Sequence, residues 1–218
     1  MKYVTHPSLK LKLEGEGLMS VQPVKENKLK IGLTGNIASG KSTATTYLKA
    51  KGFTIIDSDA IVHTLWKDPQ IIQELSVLFD LDLKESVIQQ QFKQDVFNNE
   101  TMRKSLEAYL HPKVYDMIEH QIQASKNHVI IDIPLLFETQ YEKHLDAVIL
   151  ITVPKDIQKH RLLKRGLTSE QAESRIASQM DQSLKMKKTT HIISSTLNFE
   201  AFYQALEKEI DKIIHGNT

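Results

Sequence analysis

Three stretches of the chain are apolar at successive positions rather than at alternating ones: Thr54–Asp57, His128–Ile133 (His-Val-Ile-Ile-Asp-Ile) and Ala147–Val153. Such runs, rich in β-branched residues, suit strands covered on both faces, as in a parallel sheet with helices packed on each side. Leu29-Lys30-Ile31-Gly32-Leu33 predicts a further short strand. Between and after these runs the apolar period lengthens to that of a helix. Lys41–Lys51, much of 58–126 (including Pro69–Phe79 and a long segment at Met102–Ala124), Lys155–Lys164 and Ser169–Met180 are predicted helical. Thr168 with Gln171 fits a capping box, in which each side chain satisfies a free N–H of the other residue. The last helix carries Phe199, Phe202, Tyr203, Leu206, Ile210, Ile213 and Ile214 on one stripe behind Asn198 as N-cap, a core-packing face. Alternating strands and helices predict an α/β fold.

Residues 1–28 break this rhythm and predict an N-terminal extension. They hold Pro7, Gly15, Gly17 and Pro23, and the alternation Leu9, Leu11, Leu13 predicts a short strand or hairpin arm. No apolar stretch of the length a secretory signal needs follows the first residues, and no run approaches the ~20 apolar residues of a membrane span. The expectation is a cytoplasmic protein. At 218 residues the chain is long enough to build its core without a disulfide or structural metal. It contains 0 cysteines, which excludes thiolate zinc sites, iron–sulfur clusters and cysteine nucleophiles. Lys+Arg is 28 against 27 for Asp+Glu, so no general electrostatic pull toward nucleic acid or a membrane is expected.

The strand at Leu29–Leu33 runs into Gly35-Asn36-Ile37-Ala38-Ser39-Gly40-Lys41-Ser42, which matches Gly-x4-Gly-Lys-Ser and is followed by Thr43. Glycines there permit turns forbidden to other residues and let backbone amides approach phosphate oxygens. The helix beginning near Lys41 aims its free N–H groups and positive dipole end at the same place. Lys41 can reach the β- and γ-phosphates, and the Ser42 hydroxyl can ligate Mg²⁺. A pattern this short arises by chance in about one chain per hundred of this length. Its position between a strand and a helix makes it a nucleotide site, with ATP the expected ligand.

A phosphate loop alone leaves switch, motor and kinase open. The chain has no Asn-Lys-x-Asp tetrapeptide of the kind that reads guanine in GTPases, and it is short for a motor. A small-molecule kinase needs a carboxylate to orient and deprotonate the acceptor hydroxyl. Asp57-Ser58-Asp59 ends the second strand, and ligands of an open α/β sheet bind beyond the carboxyl ends of strands. Strand alternation predicts that Asp57 and Asp59 point to one side there; a helix-capping role for Asp57 is the competing reading. Asp132 ends the third apolar strand and resembles a Walker-B aspartate, which holds Mg²⁺. The basic run Lys155, Lys159, Arg161, Lys164, Arg165 is either a solvated helix face or a lid that brings arginines onto the transferring phosphate.

Taken together, these segments resemble dephospho-CoA kinases. The likeness is carried by Gly32 through Thr43, Ile56-Asp57-Ser58-Asp59, Leu110-His111-Pro112, Ile131-Asp132-Ile133-Pro134-Leu135-Leu136-Phe137-Glu138, and Arg161 through Gln179, in order and spacing over about residues 29–212. The resemblance implies a P-loop kinase fold with a five-stranded parallel sheet and helices on both faces. It implies a kinase domain over 29–218: a core at 29–59 and 127–154, a helical CoA-binding part at 60–126, a lid at about 160–181 and a terminal helix at 199–215. The implied reaction moves a phosphoryl group from ATP to the ribose 3′-hydroxyl of dephospho-CoA, with ATP and dephospho-CoA as the partners, Mg²⁺ as cofactor and a monomer as the working form. The residue matching Asp59 would be the base. His111, Pro134 and Leu135 would line the acceptor side with Asp57, while Arg165 would close on the phosphates and Arg161 would join the ATP site. Two stretches depart from the family pattern. Arg165-Gly166-Leu167-Thr168 is one residue shorter than usual. Ser195 and Leu197 stand where an adenine-wrapping loop often has Asn and Gly.

Overall fold

In the computed structural model, which describes residues 9–14, 18–23 and 28–216, the unalternating apolar runs become strands of one wholly parallel sheet. The chain begins with an antiparallel hairpin, β1 (Leu9–Glu14) and β2 (Leu18–Pro23), in which Leu9 pairs with Pro23 and Glu14 with Leu18. The alternating leucines at 9, 11 and 13 lie on β1, and residues 1–8, 15–17 and 24–27 lie outside the described residues. The sheet and its helices then follow as β3 (Lys30–Gly35), α1 (Lys41–Ala50), β4 (Thr54–Asp57), α2 (Ser58–Leu65), α3 (Pro69–Phe79), α4 (Ser86–Asn98), α5 (Glu100–Ala124) and β5 (Val129–Asp132). After a 3₁₀ turn come β6 (Ala147–Thr152), α6 (Lys155–Lys164), α7 (Ser169–Ala177), α8 (Gln182–Met186), β7 (His191–Ser194) and α9 (Phe199–His215).

Strand order is β4-β5-β3-β6-β7, so β3 is central. Leu33 of β3 and Asp57 of β4 both register with Asp132 of β5, which aligns the strand ends on one edge of the sheet. Each face buries its own apolar layer. Ile31, Leu33, Ile130, Ile149 and Ile151 pack against α1 and α9 through Ala44, Leu48, Phe202, Leu206 and Ile210. Ile56, Val129, Ile131 and Val148 face the opposite way, toward α2–α5. Because both faces are covered, successive strand positions are all apolar, and this is the physical origin of the runs in the sequence.

α5 continues through Pro112, which has no N–H to donate to the Ala108 carbonyl one turn toward the amino end and would break an exposed helix. The stripe Leu110, Val114, Ile118 and Ile122 is buried against the core and holds the helix in register across that defect. The capping box at α7 forms in full: Thr168 Oγ1 accepts from Gln171 N–H at 3.2 Å and Gln171 Oε1 accepts from Thr168 N–H at 3.0 Å. Asn198 caps α9 by accepting from Ala201 N–H. The predicted helix over 169–180 ends at Ala177, because Gln179 and Met180 are held by the phosphate loop instead. β7 has no counterpart among the apolar runs. It is a four-residue edge strand with one neighbour, too short to show a period. No helix among the described residues is long and apolar enough to cross a membrane.

One ion pair is enclosed. Lys185 of α8 is fully buried, and its ammonium lies 2.8 Å from Glu138 Oε1, in the segment that follows β5. The same oxygen accepts from Met180 N–H at 3.2 Å. Removing one partner from such a pair leaves an uncompensated charge, which costs about 3–5 kcal/mol, whereas replacing both with apolar groups can be close to neutral. Glu138→Ala is therefore expected to destabilise strongly in urea denaturation, and Glu138→Ala with Lys185→Met is expected to recover much of the loss. Equal instability of single and double variants would contradict the pairing.

Candidate active site

The phosphate loop joins β3 to α1, and its shape depends on its glycines. A Cβ on Gly35 would lie 2.5 Å from Ser39 Oγ and 2.6 Å from the Ile151 carbonyl oxygen, so no side chain fits where the loop leaves the sheet. Gly40 turns the chain into α1 with φ +101°, a conformation open to glycine. Ser39 N–H closes the loop onto Asn36 O at 3.0 Å. Gly40 gives α1 no side-chain cap, and no acid occupies its first turn. The first amides of the helix and its positive end are therefore left to an external anion.

Lys41, the first residue of α1, places its ammonium on Asp132 Oδ1 at the end of β5. Asp132 is buried. Burial pushes its carboxyl above the ordinary aspartate range, with Lys41 pulling it down and Asp57 and Asp59 pushing it further up. Asp59 titrates in the same field: desolvation by the surrounding protein raises it, Lys41 lowers it, and Asp57 raises it. Asp59 and Asp132 thus share one lysine at the sheet edge, with the Asp57 charge beside them. Asp59 reaches the cluster from the first turn of α2 rather than from the strand end, contrary to the expectation from strand alternation. The chain turns helical one residue earlier because Asp57 Oδ1 accepts from Ala60 N–H at 3.0 Å and caps α2.

One cavity takes a carboxylate of this cluster into its lining, and a second is lined by the loop itself. The first, about 430 Å³, is mostly apolar and is lined by Asp59, Leu110, His111, Tyr115, Pro134 and Leu135 among others. Asp57 is not part of its lining, since its carboxylate is turned to the cap. The second, about 210 Å³, is lined by Gly40, Ser42, Thr43, Arg161, Arg165 and Phe199, among others.

The basic run divides. Lys155 pairs with Asp181 at 3.0 Å and Lys159 with Glu173 at 2.5 Å on the outer face. Arg161 turns inward: Nη1 donates to Ala38 O at 3.0 Å and Ser195 Oγ at 2.9 Å, and Nη2 donates to Ser195 O at 2.8 Å. It brackets the phosphate loop to the turn after β7. Arg165, at the end of α6, is exposed at the second cavity. Ala38, Leu162 and Ala172, with Ile37, Leu167 and Ile176 around them, pack α6 and α7 onto the tip of the loop.

Gln179 and Gln158 hold the loop, a task that neither hydropathy nor motif spacing marks. Gln179 Oε1 accepts from Ile37 N–H at 2.7 Å, and Gln158 Nε2 donates to Ile37 O at 2.5 Å. Asn36 Nδ2 donates to Met180 O at 3.2 Å. Gln179 also lines the first cavity, so one side chain touches both the phosphate loop and that cavity's wall.

The donor set available to a metal is the Ser42 hydroxyl and the Asp132 carboxylate. No group of three or more His, Cys, Asp or Glu poised to hold a metal occurs among the described residues. Hard oxygen donors, few in number, fit Mg²⁺, which takes one or two protein ligands and completes its shell with phosphates and water.

Residues 29–199 match the family model for dephospho-CoA kinase. The chain is 32% identical over 188 residues to a dephospho-CoA kinase of Fusobacterium nucleatum, covering 84% of this chain and 97% of that one. It is 35% identical over 175 residues to a dephospho-CoA kinase of Lactobacillus johnsonii, covering 76% of this chain and 88% of that one. The solved dephospho-CoA kinase from Campylobacter jejuni superposes with a TM-score of 0.65 at 32% identity, over 87% of this chain and 98% of that chain. A shikimate kinase from Acinetobacter baumannii, in complex with shikimate, shares the fold at 15% identity and a TM-score of 0.50, over 88% of this chain and 96% of that chain. The chain belongs to the dephospho-CoA kinase family.

The loop geometry has a direct test. Gly35→Ala must push a methyl into the Ile151 carbonyl, and overpacking of this kind costs about 1–3 kcal/mol. Thermal denaturation is expected to show a midpoint several degrees lower, with nucleotide binding lost. A variant with wild-type midpoint and affinity would contradict the close approach at Gly35.

Proposed function

We propose, on the premise of that family membership, that the two cavities are the two substrate sites of one phosphoryl transfer. ATP phosphorylates the ribose 3′-hydroxyl of dephospho-CoA to give CoA and ADP, the last step of CoA synthesis. The observation that carries the assignment of sites is the position of Asp59. Its carboxylate lines the apolar cavity and still lies in the field of Lys41, the loop's own cation.

In this reading ATP occupies the cavity of Ser42, Thr43, Arg161 and Arg165, with its phosphates on the amides of the loop from Gly35 to Ser42. Dephospho-CoA enters between α2, α5 and the Pro134–Leu135 turn, with His111 on its wall, and the helical part at 60–126 is the acceptor-side unit. Asp59 holds the 3′-hydroxyl and takes its proton as the oxygen bonds to the γ-phosphorus. The bond to the β,γ-bridging oxygen breaks, and ADP leaves with that electron pair. Lys41 exchanges Asp132 for the β- and γ-phosphates and follows the charge as it spreads over the transferring group. Arg165 adds a second cation when the segment at 160–181 closes, which also keeps water from accepting the phosphate. Ser42 and Asp132 would hold Mg²⁺, which when bound offsets phosphate charge. Asp57 acts through Asp59 by charge and by capping the helix that carries it. The enzyme acts on its two small substrates as a monomer in the cytoplasm.

The test is ADP release from Mg²⁺-ATP with and without dephospho-CoA, with the product weighed. A dephospho-CoA-dependent rate and a product heavier by one phosphate are expected, and no dependence would refute the reading. Lys41→Ala is expected to weaken ATP binding and to slow turnover together; unchanged kinetics would remove Lys41 from the phosphates.

The pH profile has a defined sign. Asp59 must be ionised to accept a proton, and its pKa is raised above the ordinary 3.8. The acid limb of kcat/KM should therefore lie above that of a free aspartate, with activity rising through it as pH increases. Asp57→Asn keeps an oxygen to cap α2 but removes a charge that pushes Asp59 up, so the limb should move to lower pH. A limb that stays in place, or moves up, would contradict the assignment of Asp59.

A further inference from the structure

Gln179 is pinned from two sides. Both peptide groups of the next residue, Met180, are taken: its N–H donates to Glu138 Oε1 at 3.2 Å, and its carbonyl accepts from Asn36 Nδ2 at 3.2 Å. At the far end of the side chain, Gln179 Oε1 accepts from Ile37 N–H at 2.7 Å. A backbone N–H can only donate, so the atom facing it is the amide oxygen, and chemistry fixes which way round the amide sits. Nε2, with two N–H donors, is left on the other side of that amide. Among the described residues Nε2 has no hydrogen-bond partner, and it is not an enclosed atom.

Two spaces border this side chain. One is an outer groove lined by Glu173 and Asp181, among others. Their carboxylates offer acceptors to an amide turned that way. Glu173 instead accepts from Lys159 and Ser169, Asp181 accepts from Lys155 and Ser183, and neither takes Gln179. The other space is the mostly apolar cavity that Asp59 also lines. A polar group placed in such a wall fixes the orientation of what binds there. Gln179 is bonded to the phosphate loop, and Asp59 lies in the field of Lys41 from the same loop. Both therefore belong to the loop end of the cavity, where the reacting part of an acceptor has to lie.

Resting on the acceptor-site reading above, we propose that Gln179 is a specificity residue for the acceptor sugar: its Nε2 donates to the ribose 2′-oxygen, which selects ribose over 2′-deoxyribose and turns the neighbouring 3′-hydroxyl toward Asp59. The 3′-oxygen is a poor target for this donor, because its lone pair goes to phosphorus and its proton to Asp59. The 2′-hydroxyl is the adjacent polar group of the same ring and takes no part in the transfer. A donor already held by Ile37 loses little freedom when the sugar arrives. A sugar without the 2′-oxygen leaves that donor desolvated and unpaired.

The experiment compares kcat/KM for dephospho-CoA and for its 2′-deoxyribose analogue at saturating Mg²⁺-ATP, with ADP binding followed separately by competition against a fluorescent nucleotide. Wild type is expected to prefer the ribose by about 5–100-fold, the effect of leaving a buried donor without its partner. Gln179→Glu keeps an oxygen for Ile37 N–H but, ionised, has no donor. Its ADP affinity should stay within about threefold of wild type while the ribose preference disappears. The added charge weakens both acceptors alike and cancels in their ratio. Gln179→Met removes both ends of the amide, so ADP binding should weaken and the preference should be lost together. A wild-type preference below about fivefold, or one that Gln179→Glu leaves in place, overturns the proposal. If dephospho-CoA itself gives no ATP-dependent turnover, the functional reading falls and this proposal with it; turnover without the ribose preference refutes this proposal alone.

Discussion

The organising constraint is charge: a polyphosphate must be brought to a sheet edge that already carries Asp57, Asp59 and Asp132. The structure meets it with Lys41 on Asp132, an uncapped helix N-terminus and a loop whose glycines let amides face inward. Without nucleotide, Lys41 keeps the buried Asp132 charge paired. In the proposed reading the same cation turns to the phosphates when nucleotide binds. The raised titration of Asp59 and Asp132 follows from this crowding, since burial and neighbouring carboxylates work against one lysine. A carboxylate of raised pKa is a better proton acceptor, so the arrangement that strains the cluster electrostatically also suits it to deprotonate a hydroxyl.

The parts around the loop are tied to it by polar side chains rather than by apolar packing alone. Gln158 and Gln179 bond the loop backbone at Ile37 to α6 and to the segment after α7, and the Asn36 side chain donates to the Met180 carbonyl there. Glu138 continues the connection through Met180 N–H and the enclosed Lys185 to α8. Arg161 fixes the loop to the turn after β7 from the other side. The α6–α7 segment is therefore tied to the phosphate loop and to the wall of the first cavity at once, because Gln179 belongs to both.

Much of this was legible in the sequence, and the reasons are specific. The apolar runs at Thr54–Asp57, His128–Ile133 and Ala147–Val153 marked strands because both sheet faces are buried. The Gly-x4-Gly-Lys-Ser spacing marked the loop because only glycine fits at 35 and 40. Asp59 was found as a residue but placed on the strand end, because the sequence left two readings of Asp57 open and it is the capping one that the structure shows. β7 was too short to show a period. The roles of Gln158, Gln179 and Lys185 were invisible, because each depends on a contact with a distant segment. The basic run at 155–165 could not be divided into outward lysines and an inward Arg161 until α7 and the turn after β7 were in place.

The central claim is that Asp59 stands where the acceptor cavity meets the field of Lys41 in order to take the acceptor's proton. Single-turnover transfer by Asp59→Asn, with ATP and dephospho-CoA affinities measured separately, tests it most directly. The account predicts affinities within a few-fold of wild type and a transfer rate lower by about 10²–10⁴. A transfer rate close to wild type, with both substrates bound, would contradict it.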